Sequence, residues 1–366
     1  MSKKSKAPDF TLLIVIFALL LIGVIMVYSS SAIWSDYKFD DPFFYAKRQL
    51  LFAFLGLIAM FVMMNIPYYK WRDYSKWILI ACYILLVAVL IPGIGLVRGG
   101  ARSWIGIGAF SIQPSEFMKL GLIIFMAVTL SKNQRYITSF KKGFLPSLLM
   151  VFVPFGFIML QPDLGTGMVL VLTCFVMIFI AGAKISHFVS LAMVGVVGFI
   201  GLIISAPYRI SRIQAFLDPW QDPLGDGFQI IQSLYAIGPG GLMGMGLGQS
   251  LQKFFYLPEP QTDFIFAILA EELGFIGGTF VILLFFLLMW RGIRIALNAP
   301  DLYGSLLALG IVGMIVIQVF INISVVIGLI PVTGITLPFL SYGGSSLTLT
   351  LLSVGILLNI SRYSKI

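Results

Sequence analysis

The sequence predicts an all-α polytopic membrane protein of ten transmembrane helices, with both termini cytoplasmic and a large extracellular loop between helices 7 and 8. Three observations carry that prediction. The chain is 59% hydrophobic and only 11% charged, whereas soluble domains carry about 25% charged residues. Its apolar residues gather into runs, and a run of about 17–25 residues spans a bilayer. Its basic residues fall on alternate sides of those runs, which sets orientation.

The runs lie near 10–29, 50–65, 77–93, 115–131, 144–160, 166–183, 187–205, 264–290, 303–329 and 342–360. The first follows Lys3, Lys4 and Lys6 and ends at the small residues Ser29, Ser30, Ser31 and Ala32. It is too long for a signal-peptide core and other spans follow it, so it reads as an uncleaved anchor. The second is short and needs its flanking residues to snorkel. An outer loop at 94–114 leads through Pro114 into the fourth run. The fifth and sixth are joined by a very short connection holding Asp163. A segment over 206–262 separates the seventh from the eighth and is long enough for a partly structured cap. The stretch 331–346 is polar and carries two prolines, a broken re-entry into the tenth span. Non-helical backbone at that depth must be covered by protein or line a wet cavity. With the N-terminus inside, the inner segments hold 15 basic residues against 3 acids, and the outer segments 8 against 9. The net charge of +9 is therefore a topology signal and not a nucleic-acid footprint. No sequence repeat divides residues 1–366, which read as one transmembrane domain.

Several chemistries are excluded. No GxxxxGK[ST] phosphate loop is present, so nothing points to ATP hydrolysis. Cys82 and Cys174 lie in apolar runs and read as inert thiols. A single histidine, His187, rules out histidine-based triads and His-rich metal centres.

What remains is a set of charged groups at the outer ends of the spans. Asp263 stands where the long loop, shaped by Pro258 and Pro260, enters the eighth span. Acids held at a membrane are expensive and mark function, so Asp263 reads as a general base at the outer surface. Glu116 and Lys119 are three apart on the fourth span and share a helix face near its outer end, as a packing ion pair or as a charged pocket. Asp163 suits a helix cap at the start of the sixth span, a functional role, or both. Arg209 and Arg212 are spaced for one helical face and suit a phosphate, with Arg48, Arg98 and Arg102 as further outer cations. Ser341 and Ser345 belong to the broken re-entry and are expected to line the same cavity. Six glycines between Gly238 and Gly248 make tight turns or let the backbone approach a ligand. Gln318 and Asn322 are expected to hydrogen-bond between helices. Glu271 lies about 12 Å deeper than Asp263 on a continuous helix, so Glu271 and Glu272 read as structural or conformational.

At these residues the chain resembles the SEDS family (shape, elongation, division and sporulation proteins). The resemblance rests on Ser-Trp-Ile-Gly (103–106), Gln-Pro-Ser-Glu-Phe-Met-Lys (113–119), Gln-Pro-Asp-Leu-Gly-Thr (161–166), Gln-Ser-Leu-Tyr-Ala-Ile-Gly (232–238), Pro-Glu-Pro-Gln-Thr-Asp-Phe-Ile-Phe (258–266) and Pro-Phe-Leu-Ser-Tyr-Gly-Gly-Ser (338–345). It runs from the first span to the last and is nearest the sporulation and division branch. It implies a peptidoglycan glycosyltransferase that polymerises lipid II outside the cytoplasmic membrane, with the aspartate matching Asp263 essential. It implies functional roles for the positions matching Glu116, Lys119 and Asp163. It also implies a class B penicillin-binding protein as partner, among other divisome, elongasome or sporulation proteins. No cofactor is specified; a divalent cation at the diphosphate stays an open alternative. Two other classes compete, a transporter for the lipid-linked precursor and a non-catalytic scaffold for a transpeptidase.

Overall fold

The computed structural model describes residues 6–98, 101–107, 110–204, 216–225 and 227–364. The helical expectation holds: each apolar run centres on a helix. In chain order these are α1 (Phe10–Phe39), α2 (Phe44–Asn65), α3 (Tyr69–Leu90), α4 (Pro114–Lys132), α5 (Leu145–Met159), α6 (Leu164–Ile180), α7 (Ile185–Ile204), a short α8 (Phe228–Ile237), α9 (Ile265–Leu297), α10 (Leu302–Val326) and α11 (Gly344–Ser361). Among the described residues, eight helices are long and apolar enough to cross a membrane, and α6 is a shorter apolar helix.

Helices α4 and α10 form the centre. α4 packs on α3, α6, α10 and α11, and α10 on α4, α6, α9 and α11. Leu122 and Met126 on α4 and Leu306 and Ile311 on α10 are fully buried in the core. α2 and α3 lie outside and expose Phe54, Ile58, Trp77 and Ile84. Lipid tails are as apolar as leucine, so packing and not water exclusion must join such helices. The α2–α11 contact shows how: a Cβ at Gly355 would meet the Met60 carbonyl, and one at Gly56 would meet Leu351.

Several ends lie beyond the apolar runs. α1 starts at Asp9, whose carboxylate accepts from Leu12 N at 2.9 Å, and continues ten residues past Ser29. Its serines do not end the helix because Ser31 Oγ returns its proton to Val27 O within the turn, while Ser29 Oγ faces Glu272. Asp40, in the left-handed region at φ 50°, stops it. α2 starts at Phe44, so Arg48 is helical. The segment at 94–114, expected as an outer loop, carries an antiparallel sheet, β1 (Gly95–Arg98), β2 (Ala101–Ile107) and β3 (Phe110–Ile112), in the order β1-β2-β3. The strands are three to seven residues long, too short for periodicity to announce them.

α9 is not a continuous helix. At Gly274 the backbone turns to φ 67°, ψ −166°, a conformation open to glycine and strained for other residues. The break frees the carbonyls of Glu271 and Glu272 and the N–H groups of Phe275 and Ile276. The glycine-rich segment supplies the missing partners. Met245 N donates to Glu271 O at 2.9 Å and Gly246 N to Glu272 O at 3.0 Å, while Phe275 N and Ile276 N donate to Gly241 O and Leu242 O at 2.9 and 3.2 Å. Unpaired backbone groups are not tolerated in a bilayer, so the loop and the kink require each other. The glycines approach the chain's own helix: a Cβ on Gly244 (φ 80°) would strike the Glu272 carbonyl.

Candidate active site

One end of the bundle holds a cavity of about 770 Å³. Its wall is built from the end of α1, the start of α2, the sheet, the starts of α4 and α6, the loop before α9 and the broken segment before α11. Arg48, Glu116, Lys119, Asp163, Asp263 and Ser345 all line it.

Pro114 is the first residue of α4, where its fixed φ suits a helix and its missing N–H costs nothing. That start puts Glu116 and Lys119 one turn in. Lys119 Nζ lies 2.8 Å from Glu116 Oε1, both side chains almost entirely out of solvent. Asp163 caps α6 by accepting from Thr166 N at 3.1 Å, and its second oxygen accepts from Gln113 Nε2 at 2.8 Å. The cap and the tie to α4 coexist in one residue. Arg48 lies with its guanidinium carbon 4.1 Å from the Phe44 ring centroid, a stacking geometry that suits arginine. No ion pair among the described residues takes up its charge.

Asp263 precedes α9 by two residues. Asn322 Nδ2 on α10 donates to Asp263 O at 2.7 Å and to Ile335 O at 2.8 Å, and Tyr342 N donates to Gln261 O at 2.8 Å. Asn322 therefore ties two loops to α10, where helix-to-helix bonding was expected. The Asp263 carboxylate accepts from Thr262 Oγ1 at 2.8 Å. Burial pushes its pKa above the ordinary carboxylate value, and the nearby charge of Glu259 adds to the rise, against the lowering hydrogen bond from Thr262.

Other expected residues lie elsewhere. Ser341 is outside the cavity wall: its hydroxyl accepts from Leu337 N at 2.8 Å and its carbonyl accepts from Gln49 Nε2 at 3.2 Å, so it shapes the broken segment from within. Arg209 and Arg212 lie outside the described residues. Glu271 and Glu272 are fully buried away from the cavity. Glu271 accepts from Leu251 N at 2.8 Å and from Ser250 Oγ, and Glu272 from Ser29 Oγ at 2.7 Å and Lys253 Nζ at 3.1 Å. They clamp the loop onto α9 beside its break.

Sequence reasoning passed over Gln261, Lys38 and Tyr45, all in the cavity wall. Gln261 and Ser345 each carry a buried side-chain oxygen without a hydrogen-bond partner. No group of three or more His, Cys, Asp or Glu side chains among the described residues could hold a metal ion.

A bundle of apolar helices carrying a charged cavity at one end defines a multi-pass membrane protein with a polar site. Residues 10–366 match the model of the FtsW/RodA/SpoVE family, described as cell cycle protein, and the chain belongs to that family. It is 69% identical over 365 residues to stage V sporulation protein E of Bacillus subtilis, covering 100% of both chains. It is 46% identical to a probable peptidoglycan glycosyltransferase FtsW of Trichlorobacter lovleyi, over 98% of this chain and 94% of that one. Among solved structures, one concerning the coordination of polymerization and crosslinking by a peptidoglycan synthase complex matches with a TM-score of 0.80 and 32% identity, covering 97% of this chain and 98% of that one. The Thermus thermophilus rod shape determining protein RodA matches with a TM-score of 0.72 and 29% identity over 98% of each chain.

Proposed function

We propose that this chain is a peptidoglycan glycosyltransferase that polymerises lipid II on the outer face of the cytoplasmic membrane, with Asp263 as general base. The observation that carries the reading is one cavity lined by both an aspartate of raised pKa and cations, Arg48 and Lys119 among them. The relatives named as peptidoglycan glycosyltransferases and the synthase complex among the structural matches support it.

The acceptor sugar's 4-hydroxyl attacks the anomeric carbon of the donor. Its proton passes to Asp263, the bond to the diphosphate oxygen breaks, and polyprenyl diphosphate leaves with inversion. A diphosphate leaves as an anion, so no second carboxylic acid is required, unlike glycoside hydrolysis. Arg48 and Lys119 stabilise the charge that develops there; Arg209 and Arg212 join them from the long loop. Glu116 holds Lys119, Asp163 holds the walls, and Ser345 offers a hydroxyl to the substrate. Ser341 acts by shaping the segment that presents Ser345. Glu271 and Glu272 act on conformation.

The chain is one transmembrane domain, 1–366, of ten spans. Both termini are cytoplasmic, and the loop over 206–262 and the cavity face outside. The distribution of basic residues supports that orientation. A class B penicillin-binding protein that crosslinks the strands is the partner, together with division, elongation or sporulation proteins.

Reconstitution in liposomes holding lipid II on both leaflets, with and without the transpeptidase, separates the three classes of function. Glycan strands are the expected product. Lipid II crossing the bilayer without polymerising supports transport, and recruitment of the transpeptidase with neither activity supports a scaffold.

A further inference from the structure

The base reading of Asp263 raises a question of its own: what holds the carboxylate in both of the protonation states that a turnover requires? Thr262 Oγ1 lies 2.8 Å from Asp263 Oδ1 and 2.8 Å from the Glu259 carbonyl oxygen. Both are acceptors, and a hydroxyl has one proton to donate. Only one of the two bonds exists at a time.

We infer that Thr262 is a positioning residue whose hydroxyl follows the protonation state of Asp263, turning between that carboxylate and the Glu259 carbonyl. With Asp263 ionised and ready to accept, the hydroxyl donates to Oδ1 and aims the carboxylate. Once the sugar proton has moved to Asp263, the roles reverse. The Asp263 O–H donates to Thr262 Oγ1, and the threonine proton turns to the Glu259 carbonyl. The backbone is arranged for this. Glu259 sits in the left-handed region at φ 43°, and its carbonyl also accepts from Thr262 N at 3.0 Å, which fixes it beside the hydroxyl. In both end states the threonine proton has an acceptor and the Asp263 carboxyl has the threonine as a partner, and no bond to carbon is made or broken at Thr262. Glu259 is exposed beside the relay, so the proton can leave to solvent before the next addition.

The inference rests on the general-base reading, and the groups facing Asp263 bear on it. Those lining the cavity with it are Glu259 on the same loop, Lys38 on α1, Glu116 and Lys119 on α4, Arg48 and Tyr45 on α2, Asp163 before α6, and Tyr342 before α11. None of these changes in a Thr262 variant, so a shift in pH dependence belongs to the hydroxyl.

The test measures initial rates of lipid II polymerisation against pH for the full chain with its transpeptidase partner. The variants are Thr262→Val, Thr262→Ser and Asp263→Asn. The bond to the ionised carboxylate is charge-assisted and stronger than the neutral one that replaces it on protonation, so loss of the hydroxyl in Thr262→Val moves the acid limb upward by about one pH unit. Thr262→Ser keeps the wild-type limb. Thr262→Ala carries the same loss and gives the same reading where valine does not fold. A valine or alanine variant with the wild-type limb overturns the inference, whatever its plateau rate, because a merely structural threonine lowers rates without moving the limb. An Asp263→Asn variant that polymerises at the wild-type rate overturns the base reading itself. An inactive Asp263→Asn beside an unshifted Thr262→Val overturns the threonine role alone.

Discussion

Glu116 and Lys119 are separated by one helical turn, and their 2.8 Å contact neutralises two charges that few waters reach. Lys119→Met leaves the carboxylate buried without its partner, a change that costs about 3–5 kcal/mol. The expected outcome is a lower melting temperature in detergent together with loss of polymerisation. A methionine variant as stable as wild type contradicts the pairing as described. Asp263 gives the pH sign. In the proposed role as a base it must be ionised, and burial has raised its pKa. Activity therefore falls on acidification at a pH above ~3.9, the value of an unperturbed aspartate. Initial rates across an acid series check this, and a limb below that value contradicts it. The ion pair was legible because a spacing of three on a helix fixes a shared face, and the Asp163 cap because short acids suit helix starts. The inward turn of Ser341 was hidden, since it depends on a backbone bend at 337–341 that no residue type announces. Thr262 was hidden beside the more conspicuous Asp263.

At the scale of elements, the break in α9 is the feature that the sequence concealed. The apolar pattern continues through Gly274, and one glycine inside a helical pattern is ordinarily tolerated. The break exists because a second segment, some thirty residues upstream, supplies four backbone hydrogen bonds to it. Periodicity is local and cannot report such a partnership. The same partnership explains why two glutamates and Lys253 are buried together. They hold the loop against α1 and α9 by side chains, while the glycines hold it by backbone. Gly274→Ala forces a Cβ onto the Gly244 amide and the Leu242 carbonyl. The strained dihedral alone costs about 1–3 kcal/mol, so this variant is expected to melt earlier than wild type in a thermal denaturation series. Wild-type melting contradicts the account of the kink. The small sheet over the cavity was missed for a different reason: strands this short alternate too few times to be distinguished from loop.

For the whole molecule, sequence patterning alone identified a helical membrane protein, because a bilayer imposes length and charge rules more strictly than water does. Arg48, Glu116, Lys119, Asp163, Asp263 and Ser345, singled out in the sequence at or near the ends of apolar runs, line one cavity. The proposed orientation predicts that a cysteine replacing Lys38 reacts with an impermeant maleimide in intact cells, and one replacing Lys141 only after permeabilisation. Native Cys82 and Cys174 are buried and contribute little background. The reverse pattern contradicts the topology. The central claim, that the carboxylate of Asp263 takes the acceptor proton, is tested most directly by one comparison. Purified wild type and Asp263→Asn, each with the transpeptidase partner, are given labelled lipid II, and both bound substrate and glycan strands are measured. Removal of a general base lowers the rate by about 10²–10⁴-fold, so the account predicts a loss of that size with lipid II still bound. Strands made by the asparagine variant at the wild-type rate contradict it.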